Sequence, residues 1–267
     1  MFDDALFVKP RQGMLPTAFA EEISNPIAAG LSSLRLAMET RRSFVPDSAE
    51  RTFYVYMSDL GQAVFIPRLV AHMRTVAPGI RVVTVDRSFK DAQEAMALGH
   101  IDLAIGMFLN FDKDFYQQRL FQESYVAMVR VNHPDIRNTL DAGKFLRAEH
   151  VAYSPTAGSH AAFEAEVDDF FHRHDVHRKV AVRFAHSLGL AQIIASSDLV
   201  ACVPSRLAAT MLTEPDIRTF ALPFETTALP VSQLWHLRFR NDEGHKWLRS
   251  VIYELFQETA LPDFAKS

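Results

Sequence analysis

Asp102-Leu-Ala-Ile-Gly106 and Asp198-Leu-Val-Ala-Cys202 are two copies of one pattern, an Asp-Leu pair opening a short apolar run, set 96 positions apart. The residues before them repeat as well. Ile80–Val85 (IRVVTV), Ser88 and an amphipathic stretch precede the first copy. His177–Val182 (HRKVAV), Ser187 and another amphipathic stretch precede the second. Each copy reads as strand, capped helix, Asp-Leu strand. Two such halves predict two lobes with a cleft between them, and a cleft between lobes suits a small ligand.

Outward from these copies, strands alternate with helices, which predicts α/β lobes built on parallel sheet. In the first half, Phe53–Met57 is a strand and Ser58-Asp-Leu-Gly61 a polar turn. A helix follows, lined by Phe65, Leu69, Met73 and Val76 and closed before Pro78-Gly79. Ser88-Phe-Lys-Asp91 matches a capping box, with Gly99 at the helix end. Tyr125–Val131 is a strand, ended by a turn at His133-Pro134. In the second half, Thr139–Arg147 reads as a short helix and Val151–Tyr153 as a strand. Ser154–His160 reads as a polar loop, and Ala161 to Arg173 as a helix. After the second repeat, a helix runs from Pro204-Ser205 to Met211, with strands at Ile217–Leu222 and Val231–Phe239. A final helix spans about Glu243 to Phe256. Strands near Tyr125 and Leu234 are the expected crossings between lobes.

The first 50 residues differ. Leu6–Leu15 reads as two short strands around a turn at Pro10 to Gly13. Thr17 offers an N-cap, with Glu21 and Glu22 in the acid-favouring first turns. Ile23, Ile27, Leu31, Leu34 and Met38 recur at helical spacing. Pro26 either interrupts this helix or starts its main part after Asn25. Arg41-Arg42 end it, and Phe44-Val-Pro46 reads as a linker. A helix with one apolar stripe needs something to pack on. Either its own body or a partner helix would serve, and the linker favours a partner, with Ile27, Leu31, Leu34 and Met38 as the dimerisation stripe.

Composition bounds the function. Of 267 residues, 48% are hydrophobic and 22% charged, ordinary values for a folded chain. A net charge of −4 gives no global affinity for nucleic acid. The single cysteine, Cys202, excludes an internal disulfide and reads as a small buried hydrophobe. No run approaches a membrane span, and no secretion signal is visible, so the expectation is a cytoplasmic protein. His172, His174 and His177 lack metal-ligand spacing and read as exposed polarity, so no metal is expected. No nucleophile elbow, Walker loop, dinucleotide fingerprint or zincin motif occurs, which argues against an enzyme and calls for no cofactor.

Leu6-Phe-Val-Lys-Pro-Arg-Gln-Gly-Met-Leu-Pro-Thr17 resembles the end of the winged helix-turn-helix of LysR-type transcriptional regulators. The resemblance continues through Pro67-Arg-Leu69, Gly99–Gly106 and Asp198–Pro204, in order along nearly the whole chain. Ser58-Asp-Leu-Gly61, Pro26 and Trp235-His236 look most like the subgroup that senses nodulation flavonoids, salicylate and nitroaromatic acids. The resemblance implies two lobes of the type II periplasmic-binding-protein kind, preceded by a wing remnant (residues 1–16) and a linker helix (17–44). Lobe I would comprise 51–128 and 232–267, and lobe II 129–231. It further implies a small effector between the lobes, expected to be an aromatic carboxylate. Homodimers or homotetramers would carry the signal to DNA, with no membrane involved. The chain starts at Met1 inside what would be the third helix or the wing. With five Lys/Arg against seven acids in the first 50 residues, weak or absent specific DNA binding is expected of this polypeptide alone. Lys9 and Arg11 would touch the DNA backbone as wing residues.

Ligands of open α/β sheets sit beyond the carboxyl ends of strands, where helix N-termini favour anions. Ser58 and Asp59, Ser88 and Phe89, and His186 and Ser187 occupy such places. A carboxylate across Ser88 and Ser187 would bridge the lobes. Asp59, itself negative, suits a hydroxyl or an internal Arg better than a ligand carboxylate. The resemblance places a ligand-facing histidine at His150, and Val203-Pro204 would line the wall of the second lobe. A stand-alone two-lobed solute-binding protein is the alternative reading, and an enzyme on the same scaffold a third.

Overall fold

The computed structural model describes residues 4–10, 13–39, 44–108, 110–153, 160–212 and 215–258, with the backbone alone for 36–39. The chain divides into two units, residues 1–44 and 45–267. In the first unit, strands β1 (Phe7–Val8) and β2 (Leu15–Pro16) pair antiparallel, Phe7 facing Pro16, and lead into helix α1 (Ala18–Glu39). Thr17 is the cap: its Oγ1 accepts the Ala20 N–H at 3.2 Å and donates to Asp4 at 2.8 Å. The helix runs through Pro26, so Asn25 is not a second start. Ile27, Leu31 and Leu34 are 49%, 52% and 62% exposed within the chain, an uncovered apolar stripe. The Met38 side chain and Arg11 lie outside the described residues, and Lys9 is exposed.

The second unit carries two five-stranded sheets. In chain order the elements are β3 (Arg51–Tyr56), α2 (Asp59–Val76), β4 (Ile80–Val85), α3 (Phe89–Leu98), β5 (Leu103–Gly106), β6 (Phe115–Glu123), β7 (Tyr125–Arg130), α4 (Ala142–Arg147) and β8 (Glu149–Tyr153). They continue with α5 (His160–Arg173), β9 (Lys179–Phe184), α6 (Leu190–Ala195), β10 (Leu199–Pro204), α7 (Ser205–Met211), β11 (Ile217–Ala221), β12 (Leu229–His236) and α8 (Glu243–Phe256). The sheet orders are β4-β3-β5-β12-β6 and β11-β7-β10-β8-β9.

Read from β4 and from β9, the two sheets share one topology. Three parallel strands come first, then a fourth antiparallel to them, then a fifth antiparallel to the fourth. The sheets are therefore mixed rather than purely parallel, because the fourth strand of each enters from the other lobe. The chain passes from β6 to β7 at Ser124 alone, and from β11 to β12 through residues 222–228. Strand β6 has no counterpart in the sequence reading. Its Tyr116-Gln-Gln-Arg119 segment hides the apolar alternation, and only pairing with β12, from Phe115–His236 to Glu123–Leu229, makes it a strand. Residues Leu237–Phe239 form a 3-10 turn rather than more strand.

The repeated aspartates explain the repeated motif. Asp102 exchanges backbone and carboxylate hydrogen bonds with Tyr54, both at 2.8 Å. Its other oxygen lies 2.9 Å from the buried His245 Nε2 and 3.6 Å from Arg51. Asp198 takes the Arg130 guanidinium at 2.5 Å, while its carbonyl meets His133 Nε2 at 3.0 Å. Each motif thus pins a central strand with one Arg and one His. The helices of the two copies differ. Ser88 caps α3, accepting the Asp91 N–H at 3.2 Å, with Gly99 at φ +84 closing it. Ser187 is not a cap: Gly189, at φ +85, precedes α6. Cys202 is fully buried in the core of the second lobe, and burial pushes its thiol up to about 12.

Candidate functional site

The turn from β3 to α2 faces β10 and the start of α5 across the boundary between the lobes. Between them lies a cavity of about 50 Å³, walled mainly by apolar groups: Leu60, Val64, Phe65, Ile105, Phe108, Phe121, Pro204 and Val231. Ser58, Gly106, Met107 and Gly61 complete the wall with Tyr56, Glu123 and His160.

Three of these residues bring buried polar chemistry. Tyr56 is 2% exposed, and its hydroxyl has no hydrogen-bond partner among the described residues. Burial, then the nearby Asp86, pushes that phenol up to about 12, so it stays a neutral donor near neutral pH. His160 is also 2% exposed, and among the described residues neither ring nitrogen has a hydrogen bond. Its Nε2 stands 3.8 Å from Glu164 Oε1, beyond hydrogen-bond reach. Glu164 continues to Arg178 at 2.7 Å, and Arg178 to Asp168 at 2.9 Å. Although burial works against its charge, His160 and Arg178 hold the Glu164 carboxyl below its ordinary value. Glu123 accepts from the Ser205 hydroxyl at 2.7 Å and the Ser124 N–H at 3.1 Å. Burial pushes its carboxyl upward against those bonds and the Arg206 cation. Unpaired buried donors and acceptors cost roughly 1–3 kcal/mol each, so such groups in one cavity are a place where a ligand repays desolvation.

The residues singled out from sequence fall into four places. Ser58 and Pro204 line the cavity, and Phe89 supports it from behind. The Ser58 hydroxyl accepts the Gly61 N–H at 3.3 Å, and the Phe89 ring stacks on Phe108 at 4.7 Å. Asp59, His186 and Ser187 lie together on a neighbouring open groove of about 740 Å³. There the Asp59 carboxylate accepts the Tyr153 hydroxyl at 2.9 Å and the Ser187 backbone N–H. A carboxylate of the chain itself therefore occupies the amide expected to hold a ligand anion across Ser88 and Ser187. Ser88 is exposed, and its hydroxyl serves its own helix.

His150 and Val203 are elsewhere. His150 is fully buried in the second lobe, its Nε2 3.1 Å from the Phe145 carbonyl and its ring between Phe145 and Phe171. Burial and the Arg178 cation pull it down to about 4, so it is a neutral core residue rather than a ligand-facing one. Val203 packs with Val126, Leu190 and Leu207 in the core of that lobe. The sequence reading missed Tyr56, Glu123 and His160. Tyr56 ends a strand legible only as core, and the pairing of His160 with Glu164 one helical turn on shows only once both are seen to be buried. Among the described residues, no group of three or more His, Cys, Asp and Glu is placed to hold a metal ion. No helix among them is long and apolar enough to cross a membrane.

Comparison with known proteins agrees with this architecture. Residues 46–257 match the family described as LysR substrate binding domain. The chain is 32% identical to the HTH-type transcriptional activator NagR of a Ralstonia species over 96% of this chain and 83% of that one. It is 31% identical to the HTH-type transcriptional activator NahR of Pseudomonas putida, over 96% and 84%. The crystal structure of the probable transcriptional regulator PA0477 from Pseudomonas aeruginosa superposes with a TM-score of 0.68 at 25% identity, covering 94% of this chain and 82% of that one. The regulatory domain of MexT, from the same species, shares the fold at 22% identity, with a TM-score of 0.67 over 77% of this chain and all of that one. The chain belongs to the LysR family of transcriptional regulators, and its second unit is the effector-binding part.

Proposed function

We propose that the cavity between the two lobes is the effector site, and that the effector is a small aromatic acid. The observation that carries this is the meeting, in one apolar cavity, of the Tyr56 hydroxyl and the His160 ring, neither of which makes a hydrogen bond among the described residues. The aromatic walls Phe65, Phe108 and Phe121 suit a ring, while Tyr56 and His160 suit its polar substituents. The likeness to NagR and NahR supports a regulator that works by binding, without turnover, in the cytoplasm where DNA lies. A cavity of about 150 Å³ holds benzene, so about 50 Å³ requires the lobes or their side chains to part before a ring enters. Ligand binding then selects one lobe arrangement over another, a population shift that subunit geometry relays to DNA.

The exposed stripe Ile27, Leu31 and Leu34 supports pairing of α1 with the same helix of a second copy. Lys9, exposed beside the β1–β2 turn, is suited to a phosphate contact in the assembled regulator.

A thermal-shift screen of benzoate, salicylate and their ring-substituted relatives tests the site. A ligand at about 100 times its Kd adds about 2.7 kcal/mol to stability. That is a rise of about 5–10 °C for a unit of this size. The stabilisation is expected to fall by at least half in Tyr56→Phe and in His160→Gln. Undiminished stabilisation in both variants refutes the placement.

A further inference from the structure

We infer that Asp59 is a latch that holds the two lobes shut over the effector cavity until a ligand parts them; this rests on the cavity's being the effector site. Asp59 opens α2 in the first lobe, directly after Ser58 and before Leu60 and Gly61, all three of which line the cavity. Both of its carboxylate oxygens are taken by the second lobe: Oδ1 by the Tyr153 hydroxyl at 2.9 Å, Oδ2 by the Ser187 backbone N–H. Tyr153 is fully buried at the end of β8, and its phenol is pushed far up by burial and by the Asp59 charge, so it can only donate here. Ser187 is buried just beyond β9. One side chain of the first lobe thus binds the ends of two strands of the second.

The latch is coupled to the cavity by contact. The Tyr153 ring packs edge-on against His160 at 4.8 Å, and His160 is part of the cavity wall. A ligand that moves the His160 ring therefore disturbs the Tyr153 hydroxyl that Asp59 holds. The closed state explains the small cavity: with the turn at Ser58 tied to β8 and β9, the walls stand too close for an aromatic ring. Charged hydrogen bonds are among the stronger ones, and two on one carboxylate define a discrete closed state.

Two variants test it on the whole chain. Asp59→Ala removes both contacts and leaves the Ser58 cap; Tyr153→Phe removes one and keeps the ring. Without any ligand, amide exchange at Ser187 is expected to quicken at least tenfold in Asp59→Ala while the β3 and β10 amides keep their protection. Unchanged exchange at Ser187 overturns the latch. With salicylate as probe, stopped-flow association is expected to speed up at least tenfold in Asp59→Ala and by a smaller factor in Tyr153→Phe. An unchanged association rate in both, with binding intact, overturns the gating role. Failure of salicylate and benzoate to bind either the parent chain or the variants counts against the proposed effector site, and the exchange experiment still decides the latch.

Discussion

His150 provides a quantitative test of the fold around the candidate site. Its imidazole is fully buried between Phe145 and Phe171, with Nε2 on the Phe145 carbonyl. Burial, reinforced by Arg178, lowers its pKa to about 4. The unfolded chain takes up that proton near its ordinary value of about 6.5. A lowered folded value means the unfolded state binds the proton first, so stability is full above about 6.5 and falls as pH drops towards 4, with no further loss from this group below that. The whole separation is worth about 3 kcal/mol, and about 2 kcal/mol of it is gone at pH 5. Carboxylates titrate in the same range, so the comparison is with His150→Gln, which keeps a donor for the Phe145 carbonyl but cannot be protonated. Urea unfolding at pH 7.5 and pH 5 is expected to show the parent losing about 2 kcal/mol more than the variant. Equal losses would refute the buried, neutral placement. The variant is also expected to bind an aromatic acid at pH 7.5 as the parent does, since His150 is not on the cavity wall.

Other consequences follow from particular contacts. Arg178→Met should destabilise by about 3–5 kcal/mol by calorimetry, because it strips Glu164 and Asp168 of their buried partner; adding Glu164→Leu should restore much of the loss. Phe145→Ala, which empties the centre of an aromatic cluster formed with Phe170, Phe171 and Phe224, should cost about 3–5 kcal/mol in chemical unfolding. Leu31→Glu with Leu34→Glu should lower the association state seen by light scattering while leaving the melting of the second unit unchanged, since both side chains are exposed on α1.

How far the sequence could be read depended on where each signal was local. The Asp-Leu copies announced two similar halves because each aspartate does the same job in its sheet, gathering an Arg and a His from distant elements. The partners themselves were not legible: His245 reaches Asp102 across 143 positions. Helix caps at Thr17 and Ser88 were legible because they are settled within three residues. Strand β6 was not, since its polar middle becomes strand only against β12. At the candidate site, the strand-end rule led to the turn at Ser58, which lines the cavity, but it treated the two halves as equivalent. Gly189 breaks that symmetry, and Asp59 fills the place kept for a ligand anion. Tyr56 and His160 stand out only once burial and missing partners are known, and neither property can be seen in a chain of letters.

The most direct measurement is a crystal structure of the chain with the strongest stabiliser from the aromatic-acid screen. The account predicts density for the ring among Phe65, Phe108 and Phe121, with its polar substituents within hydrogen-bond distance of Tyr56 Oη and a His160 ring nitrogen. Ligand bound elsewhere on the chain, with the Tyr56 hydroxyl and the His160 ring still without a hydrogen bond, would contradict it.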